Sequence, residues 1–219
     1  MRDATFRSNT FPAVRLFRLT LAAFALAVVF TAASRPALAA NPAEQFVTDN
    51  VQKGLTLLND KQLSKDQRRT QFRDFLLGLT DIKAIADYTL GQYRRGASPA
   101  VLGAYEDSFK EYALAVYQSY FAKYSGQTLK VMGSYPLGGG ETIVKTVMLD
   151  PDGKSDGKPL EVNFRVTGEN GRLVVVDFSV EGVWVRELER NDFTSYLGQN
   201  NGDVAMLTAM LKKKTQMMQ

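Results

Sequence analysis

The chain has 219 residues and contains neither histidine nor cysteine, so any chemistry it does falls to carboxylates, phenols, amines and backbone groups. Disulfides are excluded. The commonest metal ligand and the usual general base near neutral pH are both missing, which argues against zinc sites and Ser-His or Cys-His nucleophiles. What remains is Asp177, set in the run VVVDFSV, in a chain with nine tyrosines. Such a carboxylate could abstract a proton from a carbon acid while a tyrosine hydroxyl donates to the developing oxyanion. The plainer reading is that Asp177 caps or pairs within the fold, because it lies on the strand face opposite Phe178. Gly138-Gly139-Gly140 could cradle a phosphate, but no Lys-Ser/Thr follows and the flanking residues read as strands. Lys212, Lys213 and Lys214 could touch anionic lipid, yet they close a helix, where cations suit the dipole. The residues therefore point to binding, with no catalytic residue, metal or cofactor expected.

The richest stretch for binding is aromatic. Leu102, Tyr105, Phe109, Tyr112 and Val116 recur at helical spacing, and Tyr117, Tyr120, Phe121 and Tyr124 widen the stripe. Core-facing helices show such stripes as a rule. Five tyrosines in one helix say more, because a phenol at the rim of an apolar cavity keeps its hydroxyl wet while its ring is buried.

The elements that must position these groups can be read from caps and periods. Asn41-Pro42 starts a helix with the stripe Val47, Val51, Leu55 and Leu58, and Glu44 is expected as capping partner. Ser64 and Gln67 form a capping box before Phe72, Phe75, Leu76 and Leu79. Asp81 caps a short helix ending near Gly91, and Ser98-Pro99 opens the aromatic helix, expected to reach about Tyr124. Then the period changes to two. Thr128–Tyr135 and Thr142–Leu149 read as a hairpin, Leu160, Val162, Phe164 and Val166 alternate with polar residues, and Asn170-Gly171 turns into the strand around Val176. In that strand Val174, Val176, Phe178 and Val180 fall on one face. After Gly182 the apolar residues Val185, Leu188, Phe193 and Leu197 indicate a helix, and a last helix carries Leu207, Met210 and Leu211. Helices followed by a four-stranded antiparallel meander make an α+β domain, with helices packed on a curved sheet.

Residues 1–39 have the pattern of a cleaved signal peptide: Arg2, Arg7, Arg15 and Arg18, then the apolar run Leu19–Ala33, then Ala37-Leu38-Ala39. Fifteen apolar residues span only about 22 Å as a helix, short of the roughly 30 Å hydrocarbon core. Cleavage after Ala39 is expected, leaving residues 40–219 as one domain. The whole chain has 27 basic and 23 acidic residues; removing the segment leaves 22 of each. A neutral product gives no case for nucleic-acid binding.

The segment VVVDFSVEGVWVRELERNDFTSYLGQN resembles the signature of MlaC proteins, periplasmic phospholipid carriers also described as toluene-tolerance or auxiliary ABC-transporter components, with a hopanoid-associated branch. Asp177, Glu181, Gly182, Val183, Arg190 and Phe193 carry the match. DIKAIADYTLGQYRRGASP is similar to a second motif of the family through Asp81, Ile85, Ala86, Leu90, Gly91, Tyr93, Arg94, Ser98 and Pro99. Trp184 stands where a serine is usual, and Arg95 follows Arg94 where the family tends to a Trp-Arg pair.

The resemblance implies an NTF2-like core with an added helical part and a periplasmic carrier with phospholipid as cargo. It implies hand-over between an outer-membrane lipoprotein/porin complex and an inner-membrane ABC transporter with a lipid-binding ring. A monomer is expected. The residues expected to line the lipid cavity are Phe75, Tyr93, Tyr105, Phe109, Tyr112, Val116, Val162, Phe164, Val176, Phe178, Val180 and Trp184. Among them Tyr105, Phe109, Tyr112 and Val116 should face Val162, Phe164, Val176 and Phe178. Arg190 is expected to pair with Asp177 or Glu181. The alternatives are an enzyme of the ketosteroid-isomerase type on the same scaffold, using Asp177, and an adaptor that binds a membrane complex without carrying lipid.

Overall fold

The computed structural model describes residues 41–121, 126–151, 159–169 and 171–218. The segment 1–39, expected to be a signal peptide, lies outside the described residues, as do Tyr124, Asn170 and the side chains of Tyr120 and Phe121. Helices α1 (Pro42–Asn59), α2 (Lys65–Leu79) and α3 (Ile82–Thr89) come first, then a 3-10 segment (Gly91–Gly96) and the long α4 (Pro99–Phe121). Strands β1 (Thr128–Gly138), β2 (Glu141–Leu149), β3 (Leu160–Glu169), β4 (Arg172–Val180) and β5 (Val183–Trp184) follow, and α5 (Val185–Gln199) and α6 (Val204–Met218) close the chain.

The caps act as their residue types require. The Asn41 side chain accepts from the Ala43 N–H at 2.9 Å, Ser64 and Gln67 close a reciprocal box, and the Asp81 carboxylate accepts from the Ala84 N–H. Each satisfies an orphan donor of a helix's first turn, worth about 1 kcal/mol.

The sheet is an antiparallel meander of order β1-β2-β3-β4-β5, one strand more than the four expected. The fifth arises because Glu181 (φ 49°) and Gly182 (φ 80°) both adopt left-handed backbone. That tight reversal returns Val183 and Trp184 alongside Val180 and Ser179. Register shifts mark bulges at Met132 and Leu137 in β1 and at Val176 in β4; bulges of this kind bend and twist a sheet.

Two apolar clusters result. In one, Ala43 and Val47 of α1 pack with Val144, Val166 and Val175 of the sheet, flanked by Phe46, Val51, Leu79, Phe164 and Leu173. The other is wholly helical and joins Ile85, Ala86 and Leu90 to Tyr105, Phe109, Ala113, Phe193, Leu197, Val204, Leu207 and Leu211. No helix of the described residues is long and apolar enough to cross a membrane.

Candidate functional site

The bulge at Val176 redraws the face that the period-two reading assigned. Cross-strand partners share a face, and the register pairs Val162 with Val180, Phe164 with Phe178, and Val166 with Val175. Beyond the extra residue the alternation is offset by one, so Val175, with Leu173, takes the place expected for Val174. The apolar face therefore runs Val162, Phe164 and Val166 on β3 and Val180, Phe178 and Val175 on β4. Helix α1 covers one part of it. At another part the ring of Tyr117, near the C-terminal end of α4, meets Phe178 edge-on at 5.7 Å.

The expected cavity residues are thus divided between places. Tyr105 and Phe109 are fully buried in the helical cluster, not against the sheet as expected. Phe109 meets Phe193 of α5 edge-on at 6.3 Å and Tyr112 meets it at a tilt at 6.2 Å, and the Tyr105 hydroxyl shares a 2.7 Å hydrogen bond with Thr89. The physical reason is the turn of the helix: Tyr117 lies outside the 105-109-112-116 line, so when that line faces α5 and α6 the next ridge faces the sheet. Val116 is half-buried beside it. Phe75 stacks with Phe72 at 5.9 Å and lies over Gly54 of α1. Tyr93 lines an open cleft of about 780 Å³ with Ala97, Val101, Gly198, Gly202 and Val204. Val162 and Val176 are buried, Val180 is exposed, and the half-buried Trp184 lies under the guanidinium of Arg165 at 4.7 Å.

On the opposite face sits a polar network. Asp177 is buried, and its Oδ1 accepts from the N–H groups of Phe178 and Arg186, both at 2.9 Å. It thereby fixes the start of α5 to the sheet, the work of a capping carboxylate. Burial pushes the Asp177 carboxyl up, partly offset by the Arg186 N–H and guanidinium and by Arg165. Arg186 reaches Asp177 at 3.8 Å and Glu141 at 4.0 Å, while Arg165 reaches Glu141 at 3.8 Å and Glu187 at 3.6 Å. The Tyr88 hydroxyl donates to Glu187, and the guanidinium groups of Arg186 and Arg190 lie over the Tyr88 ring at 4.1 and 4.5 Å.

Arg190 therefore pairs with neither Asp177 nor Glu181. Arg186, one turn earlier, holds the aspartate, and Arg190 is held by stacking and a 3.5 Å hydrogen bond to the Tyr88 carbonyl. The two sequence motifs meet at this point. Gly91 (φ 55°) lets Thr194 and Arg190 approach closely, and Tyr93 packs on Gly198 and Gly202.

One buried group escaped the sequence reading. Glu189 is 9% exposed and Leu188, expected on the covering face, is 48% exposed. The signal was present as a ridge of spacing four, Val185-Glu189-Phe193-Leu197, in which a glutamate replaces an apolar residue. No hydrogen bond to Glu189 is found among the described residues. Burial pushes its carboxyl up to about 8, with Asp177 and Asp192 adding and Lys214 opposing. Burial, with Glu189 and Asp177 adding, also raises the phenol of Tyr117. Among the described residues no group of three or more acidic side chains could hold a metal ion.

A meander with one apolar face partly roofed by helices, anchored through a buried polar network, defines an α+β domain of the helix-covered-sheet class. The chain belongs to the MlaC family: the family model described as MlaC protein matches residues 48–213. It is also similar to the solved structure of a phospholipid-binding protein from Ralstonia solanacearum in complex with a phospholipid. That match has 21% sequence identity and a TM-score of 0.68, and it covers 80% of this chain and 98% of that one. At this identity the likeness speaks to the fold.

Proposed function

We propose that the chain is a periplasmic lipid carrier, holding the acyl chains of a phospholipid between its sheet and helices. Family membership and the phospholipid bound by the Ralstonia solanacearum protein support the reading. The observation that carries it is the apolar face Val162–Phe164–Phe178–Val180, which α4 meets through the aromatic contact of Tyr117. The exposed Val180 ends this face on β4, while Tyr105, Phe109 and Tyr112 belong to the helical cluster and Phe75 packs between α1 and α2. Trp184, opposite Ser179 and under Arg165, lies on the polar face, and Tyr93 lines the cleft beside Gly198 and Gly202.

The need for such a carrier is energetic. Exposing an acyl chain costs about 0.8 kcal/mol per methylene, so roughly thirty methylenes represent on the order of 24 kcal/mol, and a free lipid does not cross water at a useful rate. The tails must be hidden and the headgroup left outside, so that no charge is buried. Export by the segment 1–39 with cleavage after Ala39 would place the product in the periplasm. There it would act as a monomer between an outer-membrane lipoprotein/porin complex and an inner-membrane ABC transporter with a lipid-binding ring.

Native mass spectrometry of protein purified without detergent tests the reading. A mass increment of about one two-tailed or polycyclic lipid per chain is expected from a filled apolar site. Repeated spectra of bare protein only, from cells with intact membranes, would overturn the carrier and leave the adaptor.

A further inference from the structure

The tip of the β1–β2 hairpin has a surface that the carrier reading does not use. From Met132 to Gly140 the sequence MGSYPLGGG has no charge, and the six residues Tyr135 to Gly140 are all exposed. Met132 is 57%, Tyr135 47% and Leu137 48% exposed. The three glycines at the turn take φ values of 99°, 61° and 82°, so the tip is narrow as well as apolar.

Charge and backbone decide between possible occupants. Another strand is poorly suited: β1 is an edge, but its bulges at Met132 and Leu137 and the missing N–H of Pro136 break the ladder a partner would need. The face carrying Tyr135 also carries Lys145, across from Gly133, and Lys130, across from Val147. Both lysines are exposed, and neither has an ion-pair partner among the described residues. The acid nearest the tip, Glu141, is engaged by Arg165 and Arg186, and Glu161 accepts from the Asn163 amide. With this shared face laid along an anionic bilayer, the apolar residues meet the acyl boundary and the free lysines meet the phosphates.

From this we infer that the hairpin is a membrane-contact site: Tyr135 and Leu137 enter the interface of an anionic bilayer while Lys130 and Lys145 meet its phosphate groups. The contact is shallow and reversible, since one or two side chains fall far short of stable anchoring. It is a surface separate from the lipid-holding face.

Flotation of the processed chain, residues 40–219, with vesicles tests this. Vesicles of phosphatidylethanolamine and phosphatidylglycerol at 3:1 are compared with vesicles of phosphatidylcholine alone. The wild-type chain is expected to float with the anionic vesicles, and Leu137→Glu to reduce its partition by roughly tenfold, the scale of losing one buried leucine. Tyr135→Ser is expected to weaken both kinds of binding. Lys130→Glu with Lys145→Glu is expected to remove only the preference for anionic vesicles. All sites are exposed, and unchanged circular dichroism checks folding. Absence of wild-type flotation, or flotation undiminished in Leu137→Glu, would overturn the inference. So would a dimer in sedimentation that Leu137→Glu dissociates, since the tip would then serve a second copy of the chain.

Discussion

Replacing Glu189 should change how stability depends on pH, and in a direction opposite to most carboxylates. The folded carboxyl is held near 8 by burial, against an ordinary value of 4.5. Below pH 4.5 both folded and unfolded chains carry the proton, and nothing is lost. As pH rises from 4.5 to 8 the unfolded chain ionises while the folded one stays neutral, so folding is progressively disfavoured. Above 8 the loss is complete. The full span amounts to on the order of 5 kcal/mol, at a limiting slope of about 1.4 kcal/mol per pH unit. Asp177, also pushed up by burial, contributes a loss of the same sign, so the informative quantity is the difference between wild type and Glu189→Gln. That variant keeps the shape and cannot ionise. Its stability relative to wild type should rise across pH 4.5 to 8 by a few kcal/mol, or very roughly ten degrees in melting temperature for a chain of this size. Urea unfolding at half-unit pH steps measures it. A wild-type-minus-variant difference that is flat from pH 4.5 to 8 would mean that Glu189 ionises normally and that its surroundings are wetter than the structure shows.

Arg190→Ala should lower stability by about 1 to 2 kcal/mol, through loss of stacking on Tyr88, while the folded fraction keeps its lipid. Unchanged melting with lost lipid would instead assign Arg190 to the cargo. Gly202→Ala should cost about 1 to 3 kcal/mol, because its φ is 72° and a Cβ there would stand 3.0 Å from the Tyr93 ring. Gly103→Ala, with open space at its Cβ and a helical site, should be neutral or slightly stabilising, and chemical denaturation of the pair separates strain from a general effect of adding a methyl group.

The helix starts were legible because a cap is a local event. Asn41, Ser64 and Asp81 each satisfy a donor two or three residues away, and no distant contact is needed to choose them. Strands β1 to β4 were legible for a similar reason, since alternation within a strand reflects its two faces. The fifth strand was harder to see: two residues are too short to show a period, and its existence depends on the left-handed turn at Glu181 and Gly182. The cavity set was read as one line because the sequence shows which residues share a helix face but not which neighbour that face meets. The split of Tyr105 and Phe109 toward Phe193, and of Tyr117 toward Phe178, follows from where α5 lies.

Composition, caps and periods determined by themselves that the chain is α+β, that it lacks histidine and thiol chemistry, and where its elements begin. Its two motifs determined the family. The tertiary structure decided what depends on position in space. The extra residue at Val176 changes the facing of β4, and Arg186 rather than Arg190 reaches Asp177. Glu189 is buried in the ridge while Leu188 is left in water. Each of these turns on a shift of one to four residues along an element, which leaves the hydrophobic pattern almost unchanged. Close packing around a fixed strand register admits only one of the alternatives, and the register exists only once the strands and helices have met.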